Sequence, residues 1–170
     1  PKVGDDIRHW GPPYLNDTAG NDTEDAAYFF SANRGKRSLT VDITQPEGQN
    51  IIRKLAAKVD VLIENYKVGG LAKYGLDFSS LEKVNPKLVY CSITGFGQTG
   101  PYAQRHGYDF LIQGMAGLMS VTGEPDSQHG GSPTKVGVAV TDIFTGLYAA
   151  NAIQGALLER HHSGMGQYID

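Results

Sequence analysis

The chain holds a single cysteine, a single tryptophan and no long apolar run. Each shortage excludes something. Cys91 has no partner for a disulfide within the chain or for a thiolate metal site, and a reducing compartment fits. It lies inside an apolar, strand-like run, and nothing around it offers the exposure and the base that a reactive thiol needs. No stretch approaches the ~18 apolar residues of a membrane span, so no membrane contact is expected. Positive charge is in deficit, with 15 Lys and Arg against 18 Asp and Glu and a net charge of -3. No global field therefore draws nucleic acid. No internal repeat, coiled-coil heptad or signal peptide is visible. Hydrophobic residues make up 40 % of the chain, the ordinary share for a soluble globular domain. The 170 residues suffice for one core. The chain opens at Pro1 without Met and closes on Gln167-Tyr168-Ile169-Asp170, which reads as a strand just beginning. The expectation is a piece of a longer protein.

What is present is a strand–helix alternation. Residues 1–25 are rich in Gly, Pro, Asn and Asp and read as loop, with 16–25 as a flexible surface segment. Tyr28-Phe29-Phe30 reads as a short buried element. Asn33-Arg34-Gly35-Lys36-Arg37 is a turn carrying three cations, either a solvated turn or a polyanion contact. Residues 38–43 (SLTVDI) alternate and are β-branched, which predicts a strand. Pro46 and Glu47 open a helix whose apolar face is Ile51, Ile52, Leu55 and Ala56. Residues 60–64 (DVLIE) and 88–94 (LVYCSIT) predict two more strands, with short helical pieces at 71–75 and 79–84 between them. Residues 108–121 carry a further helical pattern and 122–136 a Gly/Pro/Ser loop. This order implies an α/β fold with a parallel sheet, right-handed crossovers and flanking helices. Ligands in such sheets collect beyond the carboxyl ends of strands, here Thr44, Asn65-Tyr66 and Gly95-Phe96-Gly97.

The most informative stretch is 136–170. Apolar residues recur at helical spacing, at Ile143, Leu147, Ala150, Ile153, Leu157 and Leu158. Arg160, His161 and His162 fall in the last turn and Gly164 stops the helix. The start is expected just after Asp142, whose carboxylate then faces the free N–H groups and positive end of the helix. That setting keeps a carboxylate ionised, as a nucleophile requires. The plainer reading of Asp142 is an N-cap; one residue can serve both ends.

Two other features have competing readings. Arg8 beside Trp10 is equipped to hold a phosphate or carboxylate, against a solvated Arg next to a packed Trp. Gly95-Phe96-Gly97-Gln98-Thr99-Gly100 matches the dinucleotide fingerprint directly after a strand. However, Pro101 follows it, no helical periodicity runs from 101 to 107, and two strands precede it. A glycine loop that lets a ligand or lid approach the backbone is the better reading.

Several stretches together resemble one family, the class III coenzyme A transferases. Its members include formyl-CoA transferase, the carnitine CoA-transferases, succinyl-CoA:glutarate CoA-transferase and the 2-methylacyl-CoA racemases. The stretches are Gly4-Asp5-Asp6-Ile7-Arg8, Asn33 to Ser38, Asp60 to Tyr66 with Gly69, Tyr90 to Pro101, Gly107-Tyr108-Asp109, Val138 to Gly146 and Gly164-Met165-Gly166-Gln167. They occur in family order along nearly the whole chain.

The resemblance implies a fragment of the Rossmann-like large domain, residues 1–170, that binds coenzyme A. Asp142 matches the family's catalytic aspartate, which forms an aspartyl mixed anhydride and then an aspartyl-CoA thioester. Arg8 matches an arginine that meets the nucleotide phosphates, and Asn65 and Tyr66 match the loop lining the coenzyme channel. Lys73 stands where some members carry Arg, a point charge in place of a fork. His106 stands where formyl-CoA transferase carries Lys, and Arg105 beside it is a substitute source of charge. Tyr108 aligns with a tyrosine near the reacting centre. The racemases carry His at that position as one of an acid/base pair; a tyrosine with an unperturbed pKa near 10 suits that task poorly. Transfer is therefore favoured over racemisation, the alternative within the family. A non-catalytic nucleotide- or partner-binding domain is the alternative outside it. Residues 6–13 and 93–101 look closest to the succinyl-CoA:glutarate branch. The resemblance further implies acyl-CoA and a small carboxylic acid as substrates and no permanently bound cofactor or metal. It also implies an interlocked homodimer for the full-length protein, a cytoplasmic location (mitochondrial matrix in a eukaryote), oxyanion donors partly beyond Asp170, and apolar surface left bare on the fragment.

Overall fold

A computed structural model describes residues 4–170; the loop expected from Pro1 begins outside the described residues. The chain forms two compact units, Pro1–Val41 and Asp42–Asp170.

The first unit is more ordered than its composition predicts. A 3-10 turn spans Asp6–His9, and Asp5 caps it by accepting from the Ile7 N–H at 3.0 Å. Strands β1 (Tyr14–Asn16) and β2 (Asp22–Ala26) pair antiparallel, where the sequence predicts a flexible segment. The Asp17 carboxylate ties the intervening turn by accepting from the N–H groups of Ala19 at 2.8 Å and Asn21 at 2.9 Å. Helix α1 (Ala27–Asn33) carries Tyr28-Phe29-Phe30, but Tyr28 and Phe30 are exposed rather than buried. Residues 38–43 form no strand. Their alternation satisfies the period, but no neighbouring strand offers a ladder to them, and Leu39 lies exposed.

The second unit is an α/β sandwich. Helix α2 (Pro46–Ala56) starts on Pro46 as expected. Strand β3 (Val61–Glu64) follows, then a 3-10 turn at Ala72–Tyr74 and the short helix α3 (Phe78–Leu81). Strand β4 (Val89–Ser92) pairs parallel with β3 on one side. On its other side it pairs parallel with β5 (Tyr168–Ile169), the strand expected to begin near the chain's last residues. Between β4 and β5 come helix α4 (Asp109–Met115), a 3-10 turn at Leu118–Ser120, and the long helix α5 (Val140–Ser163).

Every residue of β4 is buried, because it is the middle strand and both its faces are covered. Its alternation splits the core in two. Tyr90, with Leu88 just before the strand, packs against Ala56, Leu71, Leu76 and Leu81 on the α2 side. Val89 and Cys91 pack against Ile153 and Ala156 of α5 on the other. The Tyr90 hydroxyl donates to the Leu76 carbonyl at 3.1 Å, which satisfies its buried polar atom. Burial pushes the Cys91 thiol up, away from the reactive thiolate form, with smaller contributions from Glu64 and Asp170.

Helix α5 keeps its predicted stop, since Gly164 is left-handed and its N–H reaches the Arg160 carbonyl at 2.8 Å. Arg160 then pins the end of the helix to the sheet. Its guanidinium meets the Asp60 carboxylate at 2.8 Å and the Lys87 carbonyl at 2.9 Å. The predicted apolar stripe is only partly buried. Ile153 is enclosed and Leu157 packs against the same core, but Ile143, Leu147 and Leu158 are exposed. The sheet has three strands, and the first half of α5 extends past what they cover. In α2, likewise, Ile51 and Leu55 are exposed while Ile52 and Ala56 pack inward. Among the described residues no helix is long and apolar enough to cross a membrane.

After β4 the backbone at Gly95 crosses the backbone at Gly107. A Cβ on Gly95 would stand 2.2 Å from the Gly107 nitrogen, and one on Gly107 would stand 2.6 Å from the Gly95 Cα. Neither neighbour is a side-chain tip that can swing away. Gly95→Ala is therefore expected to destabilise the full-length protein by about 3 kcal/mol or more, the upper range for overpacking. A thermal melt unchanged from wild type would show that the crossing is looser than this.

Candidate functional site

Asp109 opens α4, one residue after its N-cap Tyr108. Helix α5 has no cap of its own, since its N-cap residue is Ala139. The N–H groups at the start of a helix need outside acceptors, and Asp109 supplies one from the other helix. Its Oδ1 accepts from the Thr141 backbone N–H at 3.0 Å and from the Thr141 hydroxyl at 2.8 Å. Its Oδ2 accepts from the Gln113 side-chain amide at 2.8 Å. Gln113 is fully buried, and its Oε1 accepts the Val136 N–H at 2.8 Å. The result is a polar chain from the loop before α5, through α4, to the first turn of α5.

This arrangement corrects the expected helix start. The helix begins at Val140, so Asp142 is the third residue of its first turn and not its N-cap. The cap comes from Asp109, which is distant in sequence. Asp142 itself is exposed. The expectation that its surroundings hold it ionised is also corrected. Partial loss of solvent pushes the Asp142 carboxyl above its ordinary value, and the Asp109 charge adds to the effect. A carboxylate of higher pKa is a stronger base and a better nucleophile once ionised.

Asp109 shifts the opposite way. Burial alone raises it, but the Thr141 N–H, the Thr141 hydroxyl, Gln113 and the Lys135 charge together outweigh burial, and its carboxyl lies below the ordinary range. Two neighbouring carboxyls with environments pushing them apart are a frequent mark of functional sites.

Tyr108 stands beside this pair, 73 % exposed. The Gly95–Gly107 crossing sets the loop that carries Arg105, His106 and Tyr108 against the carboxyl end of β4. Arg105 stacks on Tyr102 at 4.3 Å from the ring centroid, and His106 is exposed. The glycine segment 95–100 opens no helix, and the next one starts at Asp109. Gly97 is left-handed, and the Gln98 N–H meets the Asp170 carboxylate at 2.8 Å.

A second feature lies beyond the carboxyl ends of β3 and β4, where the sheet geometry predicts one. It is a cavity of about 280 Å³. Phe78, Tyr90 and Tyr168 form an aromatic group on its wall, with Phe78 and Tyr168 stacked at 5.2 Å. Lys67, Ser92 and Gln98 add polar groups. The expected side chains do not line it. Asn65 and Tyr66 are exposed beside it, with the Tyr66 N–H turned onto the Glu64 carboxylate at 2.7 Å. Lys73 lies over the Tyr74 ring at 4.7 Å. Neither Asp142 nor Tyr108 borders it, so the structure does not form one cleft from Asn65-Tyr66, Tyr108 and Asp142. Arg8, in the first unit, pairs with Asp25 at 3.0 Å and covers the Phe29 ring at 3.9 Å. Among the described residues no group of three His, Cys, Asp or Glu is placed to hold a metal ion.

Sequence reasoning assigned no role to Asp109, Gln113 or Thr141, although Asp109 and Thr141 lie in stretches that carry the family resemblance. One signal was available, because Asp109 and Gln113 are four residues apart on a helix, where such a pair can hydrogen-bond.

The model of one family, CoA-transferase family III, matches residues 1–170. The chain is 57 % identical over 170 residues to a succinate–glutarate CoA-transferase of Agrobacterium fabrum and 46 % identical to a succinyl-CoA:glutarate CoA-transferase of Mus musculus. All of this chain is covered in both matches, against 41 % and 36 % of those relatives. The chain therefore spans less than half the length of either. A crystal structure of a CAIB/BAIF family protein from Brucella suis superposes with a TM-score of 0.87 at 58 % identity, covering 99 % of this chain and 43 % of that one.

The depressed Asp109 carboxyl has a pH consequence. Its contribution to stability is fully present above the unfolded value near 3.8 and fades as pH falls through its lower folded value. Asp109→Asn is expected to melt below wild type at pH 7, with the gap closing under pH 4. A gap that stays constant across pH would show that charge on Asp109 is not what holds Thr141.

Proposed function

This chain belongs to CoA-transferase family III, and from that we propose that the full-length protein moves coenzyme A from an acyl-CoA donor to a carboxylic acid. Residues 1–170 belong to its large, coenzyme-binding domain. The donor is succinyl-CoA and the acceptor a dicarboxylic acid such as glutarate. The observation that carries this choice is the 57 % identity across the whole chain to a protein named for that pair of acids.

Asp142 is the nucleophile. A carboxylate oxygen of Asp142 attacks the thioester carbonyl and the CoA thiolate leaves, forming a mixed anhydride. The thiolate then attacks the Asp142 carbonyl and expels the donor acid, which leaves an aspartyl-CoA thioester. The acceptor carboxylate attacks that carbonyl and displaces the thiolate again. Attack of the thiolate on the acceptor's acyl carbon releases the new acyl-CoA and restores the Asp142 carboxylate. Each step exchanges one acyl bond for another, so no oxidant, reductant or net proton is needed. Support comes from the exposed position of Asp142 in the first turn of α5 and from a carboxyl pushed above its ordinary value.

Tyr108, Arg105, His106, Asn65, Tyr66, Lys73 and Arg8 are assigned to coenzyme and substrate contacts. The exposed apolar residues of α4 and α5, such as Phe110, Phe144 and Leu147, fit a full-length protein that assembles as a homodimer.

With succinyl-CoA and glutarate, the full-length protein is expected to form glutaryl-CoA, followed by chromatography of the acyl-CoA pool. Asp142→Ala is expected to lower kcat about 10⁴-fold or more, as removal of a nucleophile does elsewhere. Retention of wild-type kcat in Asp142→Ala would overturn the role of Asp142. Failure of every dicarboxylate tried, with another acid accepted, would overturn the acceptor class.

A further inference from the structure

We propose that Asp109 is a positioning residue for the transfer reaction, fixing the first turn of α5 and so the direction in which Asp142 presents its carboxylate. This rests on the reading of Asp142 as nucleophile and adds a second carboxylate that does not touch substrate.

The hydrogen bonds dictate a carboxylate at 109. Gln113 has no freedom to turn its amide over. The Val136 N–H at 2.8 Å can only donate, so the Gln113 oxygen must face it. The Gln113 NH₂ group is then directed at Asp109 Oδ2, 2.8 Å away. That oxygen must accept. The other oxygen must accept as well, since the Thr141 N–H stands 3.0 Å from it. A group that accepts at both ends is a carboxylate; an amide in its place sets its NH₂ against a donor, either the Gln113 NH₂ or the Thr141 N–H. Gln113 is fully buried, so an unmet donor there finds no water to compensate.

The geometric consequence falls on Asp142. Thr141 is held by both its N–H and its hydroxyl to the same oxygen. Two bonds to one acceptor fix the residue's backbone and its χ1 together. Asp142 follows directly, so its Cα–Cβ direction is set by that turn. Ala139 offers no side-chain cap, and without Asp109 the first turn is free to fray. Misplacing a reacting group by about 1 Å costs on the order of 10²-fold in rate.

The test compares steady-state kinetics of full-length wild type with Asp109→Asn, Thr141→Val, Thr141→Ser and Asp142→Ala. Asp109→Asn is expected to lower kcat by about 10²-fold while KM for the acyl-CoA stays within about threefold, since the contact is with the nucleophile's turn and not with substrate. Thr141→Val, which keeps the N–H and loses the hydroxyl, should lower kcat about tenfold. Thr141→Ser, which keeps both donors, should recover most of the rate. If Asp142→Ala is inactive while Asp109→Asn and Thr141→Val both turn over like wild type, the positioning role is overturned and the nucleophile stands. If Asp142→Ala remains active, the nucleophile reading itself falls and takes this one with it. Should Asp109→Asn fail to fold, the Thr141 pair decides: equal rates for Val and Ser overturn the inference, and a slow Val beside a fast Ser supports it.

Discussion

The second unit depends on burying β4 completely. A parallel strand with a neighbour on each side and a helical layer on each face has no route to water for its backbone, so both ladders must form. Four residues meet that demand here, Val89, Tyr90, Cys91 and Ser92. Their alternation decides which layer each helix joins. Val89 and Cys91 recruit the Ile153–Ala156 turn of α5, while Tyr90 recruits α2 and the 71–81 segment. Once the far half of α5 is fixed on β4 and its end is tied by Arg160 to Asp60, the near half is carried out beyond the sheet. The first turn of α5 thus reaches the side of the molecule where the loops after β4 emerge, and Asp142 goes with it.

The electrostatics of that turn are an imbalance between two acids. Asp109 is surrounded by donors and is well satisfied as an anion; Asp142 has lost solvent and gained a negative neighbour. One carboxylate is therefore structural and settled, and the other is accessible and less well stabilised. A nucleophile profits from that second condition, because stabilising the free carboxylate would have to be undone during attack. Asp109 also supplies the acceptor that Ala139 lacks for a helix starting with Val140 and Thr141, both β-branched.

Much of this was legible from residue order. The apolar run around Val89–Ser92, the Pro46 helix start and the Gly164 stop depend on local rules, and local rules read well in one dimension. The glycine motif opens no helix, and the lack of helical periodicity from 101 to 107 is a local signal of the same kind. What failed was non-local. Residues 38–43 carry a strand's alternation but find no ladder. The strand Asp22–Ala26 has almost no β-forming residues, yet Tyr14–Asn16 supplies a partner. Asp142 looked like a cap because its real substitute, Asp109, is brought to α5 only by tertiary folding. The cavity followed the carboxyl-end rule, but the side chains lining it are neighbours of the expected ones, since Asn65 and Tyr66 turn outward at the end of β3.

The central claim is that the Asp142 carboxylate accepts an acyl group. The most direct measurement is peptide mass spectrometry of full-length protein mixed with succinyl-CoA alone and then quenched with hydroxylamine, which converts an activated aspartyl carbonyl into a hydroxamate. The account predicts that the hydroxamate maps to Asp142 and that no other acidic residue carries it. A modified residue elsewhere, or an unmodified Asp142 in protein that is turning over substrate, would contradict it.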